Sequence, residues 1–170
     1  MPEPIGQAIW LKLREQIERI EHLTGLVPAD KLSWDPKLPN SATDLGHLLG
    51  HLLDCLAGFC AVFYAAFPES CAGLYELREL PVNHCCSPQE TRERLQQYAT
   101  CLETAFAQCA DADLARRIPS VFVPAGESLA TLLLGNLEHL ISHKYQLFMY
   151  LKMLGVPVTS RDIYHWRGTQ

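Results

Sequence analysis

Residues 44–67 read DLGHLLGHLLDCLAGFCAVFYAAF. The run is long and apolar enough to raise the question of a membrane span, which needs roughly 20 apolar residues. It also carries His47, His51 and Asp54, and ionisable groups are costly in hydrocarbon. The stretch therefore reads as a helix buried in a bundle, apolar on most faces. SATD at 41–44 has the form of a capping box, in which Ser41 accepts the Asp44 N–H and the Asp44 carboxylate reaches back. Thr43 is an equally good cap, and Pro68 ends the helix.

Three more long helices flank it. The first spans about 5–25, with Ile5, Ala8, Ile9, Leu11, Ile17, Ile20 and Leu23 on one stripe and Gly25 and Pro28 closing it. Residues 28–40 hold three prolines and form a loop. The third helix opens at SPQE, with Ser87 as cap, Pro88 in the first position and Glu90 closing the box, and it continues to about 110. Its buried stripe includes Leu95, Tyr98, Leu102 and Phe106. The fourth runs from about 127 to 154, where Gly155 and Pro157 stop it. VFV at 121–123 has no evident partner and reads as extended loop. Ile163, Tyr164 and Trp166 fold the tail back on the bundle. The expected fold is an all-α four-helix bundle in one domain over 1–170. The connection at 69–87 has no clear period and is long for a bundle. It can cross from end to end, which would let the second and third helices run parallel.

A net charge of −5 with scattered lysines and arginines excludes a phosphate-backbone partner. The N-terminus meets Lys12, Arg14 and Glu15 before any long apolar run, unlike a secretory leader. The seven cysteines include no CxxC pair. Cys55, Cys60, Cys101 and Cys109 fall in helical patterns as small apolar residues, which fits a reduced, cytoplasmic setting. Cys85 and Cys86 follow His84; a soft-metal site there is weighed against a plain loop, and the zinc spacings are missing.

The chemistry lies in EHLISHKYQ at 138–146. On a helical wheel Asn136, His139, His143 and Gln146 share one face, beside Leu132, Leu140, Leu147 and Met149. On the second helix His47, His51, Asp54, Cys55 and Gly58 cluster within roughly 60° of His51. Polar groups on such helices need partners. One metal ion held by His51, His139 and His143 would satisfy three at once. Two imidazoles one turn apart chelate a single ion, and imidazole suits Zn, Ni, Fe or Cu over Mg or Ca. Three protein ligands leave a position open, as catalytic sites do. HxxxH alone is a weak signal, and helical histidines are often merely satisfied polar residues. Residue 140 is Leu, so the Glu of an HExxH site is absent.

DLGHLLGHLLDCLAGF and HLISHKYQLFMYLKMLGVPV resemble the DinB-like (DinB/YfiT) superfamily, the second through its HxxxHxxQ and the Leu-Gly that ends the helix. The resemblance covers nearly the whole chain. It implies an up-down-down-up four-helix bundle and a three-histidine divalent metal site, with zinc or nickel the foremost candidates and iron also accommodated. His139 and His143 match the family's pair. His51 matches the helix-two histidine by its LLGHLL setting, with His47 as the alternative or as a neighbour supporting the ligands. Asp54 and Gln146 are placed as groups that orient ligands or hold water. Members with assigned chemistry include thiol-dependent transferases and isomerases, so the resemblance implies a small-molecule substrate and a low-molecular-weight thiol.

Two chemistries compete at such a site. A metal-bound thiol would be transferred to an electrophile, or metal-bound water would hydrolyse a small substrate. The missing adjacent Glu favours the transferase over the hydrolase. A metal-binding module without turnover is the third reading, with Phe59, Phe63 and Tyr64 closing the cavity and Asp54 or Cys55 as a fourth ligand. No nucleic acid or membrane partner is expected, and an apolar stripe on helix one or the tail would serve a homodimer.

Overall fold

The computed structural model describes residues 4–37, 43–119 and 123–165. Its long helices are α1 (Ile5–Gly25), α2 (Leu45–Ala66), α4 (Pro88–Gln108) and α5 (Leu129–Met153). A short helix α3 (Gly73–Arg78) lies in the connection that sequence periodicity left unassigned. Six residues are too few for a helical period to stand out; Leu74 and Leu77 are its buried contacts.

Two starts differ from expectation. The cap of α2 is Asp44, whose carboxylate accepts the His47 N–H at 2.8 Å. Ser41 lies outside the described residues, and the Thr43 carbonyl accepts a hydrogen bond from the Tyr150 hydroxyl. Residues 127–128 are not helical. β2 (Glu127–Ser128) pairs antiparallel with β1 (Arg117–Ile118), and α5 begins at Leu129. Ser128 serves both elements, since its hydroxyl also caps α5 by accepting from Thr131 N. In the VFV stretch 121–122 lie outside the described residues. The start of α4 is as the sequence predicts: Ser87 Oγ accepts the Glu90 N–H at 3.1 Å and Pro88 opens the helix. The Glu90 carboxylate turns to His84 instead of closing the box.

The direction of each helix follows from its partners. Arg14 faces Glu103 and Gln96 reaches Glu21, so α1 and α4 are antiparallel. Thr43 meets Tyr150 near one end of the α2–α5 pair, and Gly58 faces Asn136 further along, so these helices are antiparallel too. Cys86 N donates to Gly46 O at the start of α2, while Phe63 meets Phe106 edge-to-face near its end. Thus α2 and α4 run parallel. The bundle is up-down-down-up, with α2 packed against α5, α3 and α4. The α2–α4 connection returns along the bundle, and the Tyr98 hydroxyl donates to Leu77 O on the way.

α2 is the one described helix long and apolar enough to cross a membrane. Its leucines Leu45, Leu49, Leu52, Leu53 and Leu56 are fully buried among the other helices. Each such side chain contributes about 1.5–3 kcal/mol of burial, so its apolar surface is spent inside the protein. Gly155, at φ +78°, closes α5 in the left-handed region that glycine enters freely. The tail returns as expected at Ile163, which is buried, whereas Tyr164 is exposed; Trp166 lies outside the described residues. Lys144 holds the tail: its ammonium donates to Gln16 Oε1 at 2.7 Å and to Ile163 O at 3.2 Å. Burial pushes this lysine down to about 8.

Candidate metal centre

The site begins with two glycines. Gly46 and Gly50 lie one helical turn apart on α2, and residues 83–86 cross directly over them. A Cβ on Gly50 would stand 2.1 Å from His84 O, and one on Gly46 would stand 2.4 Å from Cys85 Sγ. At Gly50, where the facing atoms are backbone, only glycine permits this approach; at Gly46 the facing atom is the end of a side chain, with the Leu32 carbonyl at 3.2 Å behind it. Asn83 takes φ 57° at the crossing, a left-handed conformation that asparagine tolerates better than most residues. Its Oδ1 then lies 2.7 Å from His51 Nδ1.

His51 presents its other nitrogen to α5. His51 Nε2 is 3.1 Å from His143 Nε2. The His51 ring centroid is 4.3 Å from that of His143 and 5.2 Å from that of His139. One nitrogen from each of the three lies within 4.8 Å of the others. The structure therefore brings together His51, His139 and His143.

A hydrogen-bond relay decides which His143 nitrogen is bare. The Thr43 carbonyl can only accept, so the Tyr150 hydroxyl donates to it at 3.0 Å. Tyr150 O accepts from Gln146 Nε2 at 2.9 Å, which turns Gln146 Oε1 to His143 Nδ1, also at 2.9 Å. The proton of His143 therefore sits on Nδ1, and Nε2 keeps its lone pair. Asn83 Oδ1 does the same for His51. Two bare lone pairs then face each other at 3.1 Å, an arrangement relieved by a cation between them. Around one tetrahedral zinc, imidazole nitrogens stand about 3.3 Å apart. This donor set fits a divalent transition metal.

Burial lowers the pKa of His143 and of His139, and neighbouring imidazoles add to it. Both imidazoles are therefore neutral at pH 7, the form that can bind a metal. The sign for stability follows. Between the lowered folded values and the ordinary value of about 6.5 the unfolded chain binds more protons, so the apo-protein loses stability as pH falls through that window. The urea midpoint of metal-free protein should drop on acidification from pH 7, and drop less in H143A.

The remaining candidates separate. His47 is not in the group of three. Its Nδ1 pairs with Asp44 Oδ1 at 2.8 Å, and it lies near Cys85. Asp54 Oδ2 is 3.6 Å from His51 Nδ1, on the side away from His143. Cys55 Sγ meets His139 Nδ1 at 3.8 Å, and burial pushes its thiol up to about 12. Phe59 and Phe63 are fully buried in the core, and Tyr64 packs on Tyr75, so the aromatics expected to close the cavity do not line it. Leu140 and Leu147 are buried beside the polar row, but Met149 is largely exposed on the outer side of α5.

Two clefts of about 390 Å³ each flank the histidines. His51, His143, Asn83 and His47 line one. His139, Asp54, Asn136 and Arg78 line the other. Asn83 and Tyr150 escaped the sequence reading. The pair Gly46 and Gly50, four apart in an otherwise bulky helix, is the signal that something crosses α2 there. Asn83→Gly, which keeps the left-handed backbone at φ 57° without strain, should weaken divalent-metal affinity by about 10–100-fold, the usual cost of losing a hydrogen bond behind a ligand, with little change in melting temperature. Competitive zinc titration against a chromophoric chelator measures it.

No protein-family model matches the sequence, and no curated protein matches it either. Among solved structures the chain is similar to that of a DinB-like protein, YjoA, from Bacillus subtilis. The TM-score is 0.65 over 87% of this chain and 92% of that one, at 18% sequence identity. The fold is DinB-like: an all-α bundle in which α2 and α5 bring three histidines together.

Proposed function

We propose that the protein is a metal-dependent enzyme, using the three-histidine centre to transfer a low-molecular-weight thiol to a small electrophile. The observation that carries the metal is the pair of bare Nε2 atoms of His51 and His143 at 3.1 Å, each ring fixed from behind. A divalent ion held there supplies Lewis acidity and lowers the pKa of a thiol or water that it takes up. The chain's own part is to orient the imidazoles and to offer substrate space. A cleft of about 390 Å³ on each side of the centre has the volume of a small-molecule site, which suits a reaction that joins two substrates.

The general base of a hydrolase is the weaker element. Residue 140 is a buried leucine, and Asp54 stands 3.6 Å from His51 on the side of Nδ1, the nitrogen turned from the other imidazoles. Metal-dependent hydrolysis of a small substrate is the second reading. It draws on Asp54, which lines the same cleft as His139. Conjugation of small thiols to an alkyl halide or epoxide, run beside ester and amide hydrolysis on zinc- and nickel-loaded protein, separates the two. Thiol-dependent turnover is expected. Turnover in the hydrolytic assays alone, with no thiol required, would overturn the first reading.

A further inference from the structure

We propose that His84, Cys86 and Glu90 form a second cation site, for a thiophilic divalent ion of the zinc class, distinct from the three-histidine centre. His84 Nε2 lies 2.9 Å from Glu90 Oε1 and 3.3 Å from Cys86 Sγ. One ligand atom from each residue falls within 4.8 Å of the other two. Ligand atoms around one tetrahedral zinc stand roughly 3.2–3.7 Å apart, so small side-chain rotations bring the three to coordinating positions. An imidazole, a thiol and a carboxylate suit zinc, whereas magnesium and calcium prefer oxygen donors throughout.

The backbone holds these donors where they are. Cys86 N donates to Gly46 O at 3.0 Å, Gly50 fixes the approach of His84, and Glu90 belongs to the first turn of α4 behind the Ser87 cap. Cys86 is fully buried, while the side chains of His84 and Glu90 are 40% and 39% exposed. Solvent or a substrate atom can thus complete the coordination from outside. Without an ion, His84 Nε2 and the Cys86 thiol each have one proton to give, and both turn to the Glu90 carboxylate. Arg94 is the competing cation, but it stands 3.8 Å from Glu90 Oε1 and donates to the Pro81 carbonyl. Binding would release the Cys86 thiol proton to solvent. Because Asn83 immediately precedes His84, a cation here fastens the segment that orients His51.

Cobalt is the probe, since a thiolate ligand gives a near-ultraviolet charge-transfer band that an all-imidazole site lacks. Tag-free, metal-stripped protein titrated with Co²⁺ should take up two equivalents per chain and develop that band. C86S should lose the band and keep one equivalent, and H84A should do the same. H139A should keep the band and lose the other equivalent, so failure of one site is told from failure of the other. Circular dichroism checks that each variant is folded, and H84A, at a partly exposed position, decides the matter if C86S is not. Absence of the band at saturating cobalt, or its persistence in folded H84A, would overturn the proposal.

Discussion

Replacing His143 by alanine should abolish the metal content of the three-histidine centre. Protein purified without a histidine tag or added metal is expected to carry about one equivalent of zinc, nickel or iron at this centre, and His143→Ala none. The variant loses more than one donor. His51 Nε2 loses the partner that stands 3.1 Å away, and the relay from Thr43 through Tyr150 and Gln146 ends on nothing. His139 alone would then face His51. His139→Ala should lose the ion as well, whereas His47→Ala should retain it, because His47 is committed to Asp44. Elemental mass spectrometry on the three variants, each made in an H84A background that silences the second cation site, reads the result, with circular dichroism as the fold control. Retention of the ion in folded His143→Ala would remove the basis for the centre.

Gly50→Ala should be the most disruptive of the small substitutions. The added methyl would sit 2.1 Å from His84 O and 2.9 Å from His84 N. Both are backbone atoms, so no side-chain rotation relieves the clash. Overpacking of this kind costs about 1–3 kcal/mol, which in a domain of this size lowers the melting temperature by roughly 2–4 °C per kcal/mol. The crossing segment must lift, and Asn83 lifts with it, so metal affinity should fall together with stability. Gly135→Ala on α5 is the matched control. Nothing lies within 4 Å of its Cβ position, and there alanine should stabilise the helix by up to about 1 kcal/mol. Opposite signs for the same chemical change would show that the crossing at α2, not helix propensity, sets the requirement for glycine. Equal signs would argue against the close approach.

The sequence carried the site unevenly. His139 and His143 are legible because a helix turns 100° per residue, so a spacing of four puts two side chains on one face whatever surrounds them. His51 is legible as an imidazole in the middle of an apolar helix that must find a partner. Asp54 and Gln146, singled out on the same wheels, came to different ends. Gln146 sits behind His143, while Asp54 stands off His51 at 3.6 Å. The wheel gives a direction, but not the depth at which a side chain meets its neighbour.

The helix caps show the same division. Ser87 with Pro88 was readable because the cap and the first position are set by neighbours in the chain, whereas the Glu90 carboxylate, expected to close the box, is drawn to His84. At α2 the cap is Asp44 and not Ser41 or Thr43, the two expected, since the Leu32 and Trp34 carbonyls accept the first amides of the helix and fix where it begins.

By itself, then, the sequence determined the four long helices, the apolar character of α2 and the facing of the paired histidines. These depend on periodicity and on caps within a few residues. Only the tertiary structure decided that α2 lies against α5, that α3 and the β1–β2 pair exist, and that Asn83 and Tyr150 stand behind the imidazoles. The α2–α5 packing and the Asn83 contact join residues far apart in the chain, whereas α3 and the two-residue strands are too short for a period to show. Asn83 reaches His51 because Gly50 leaves room for the segment that carries it.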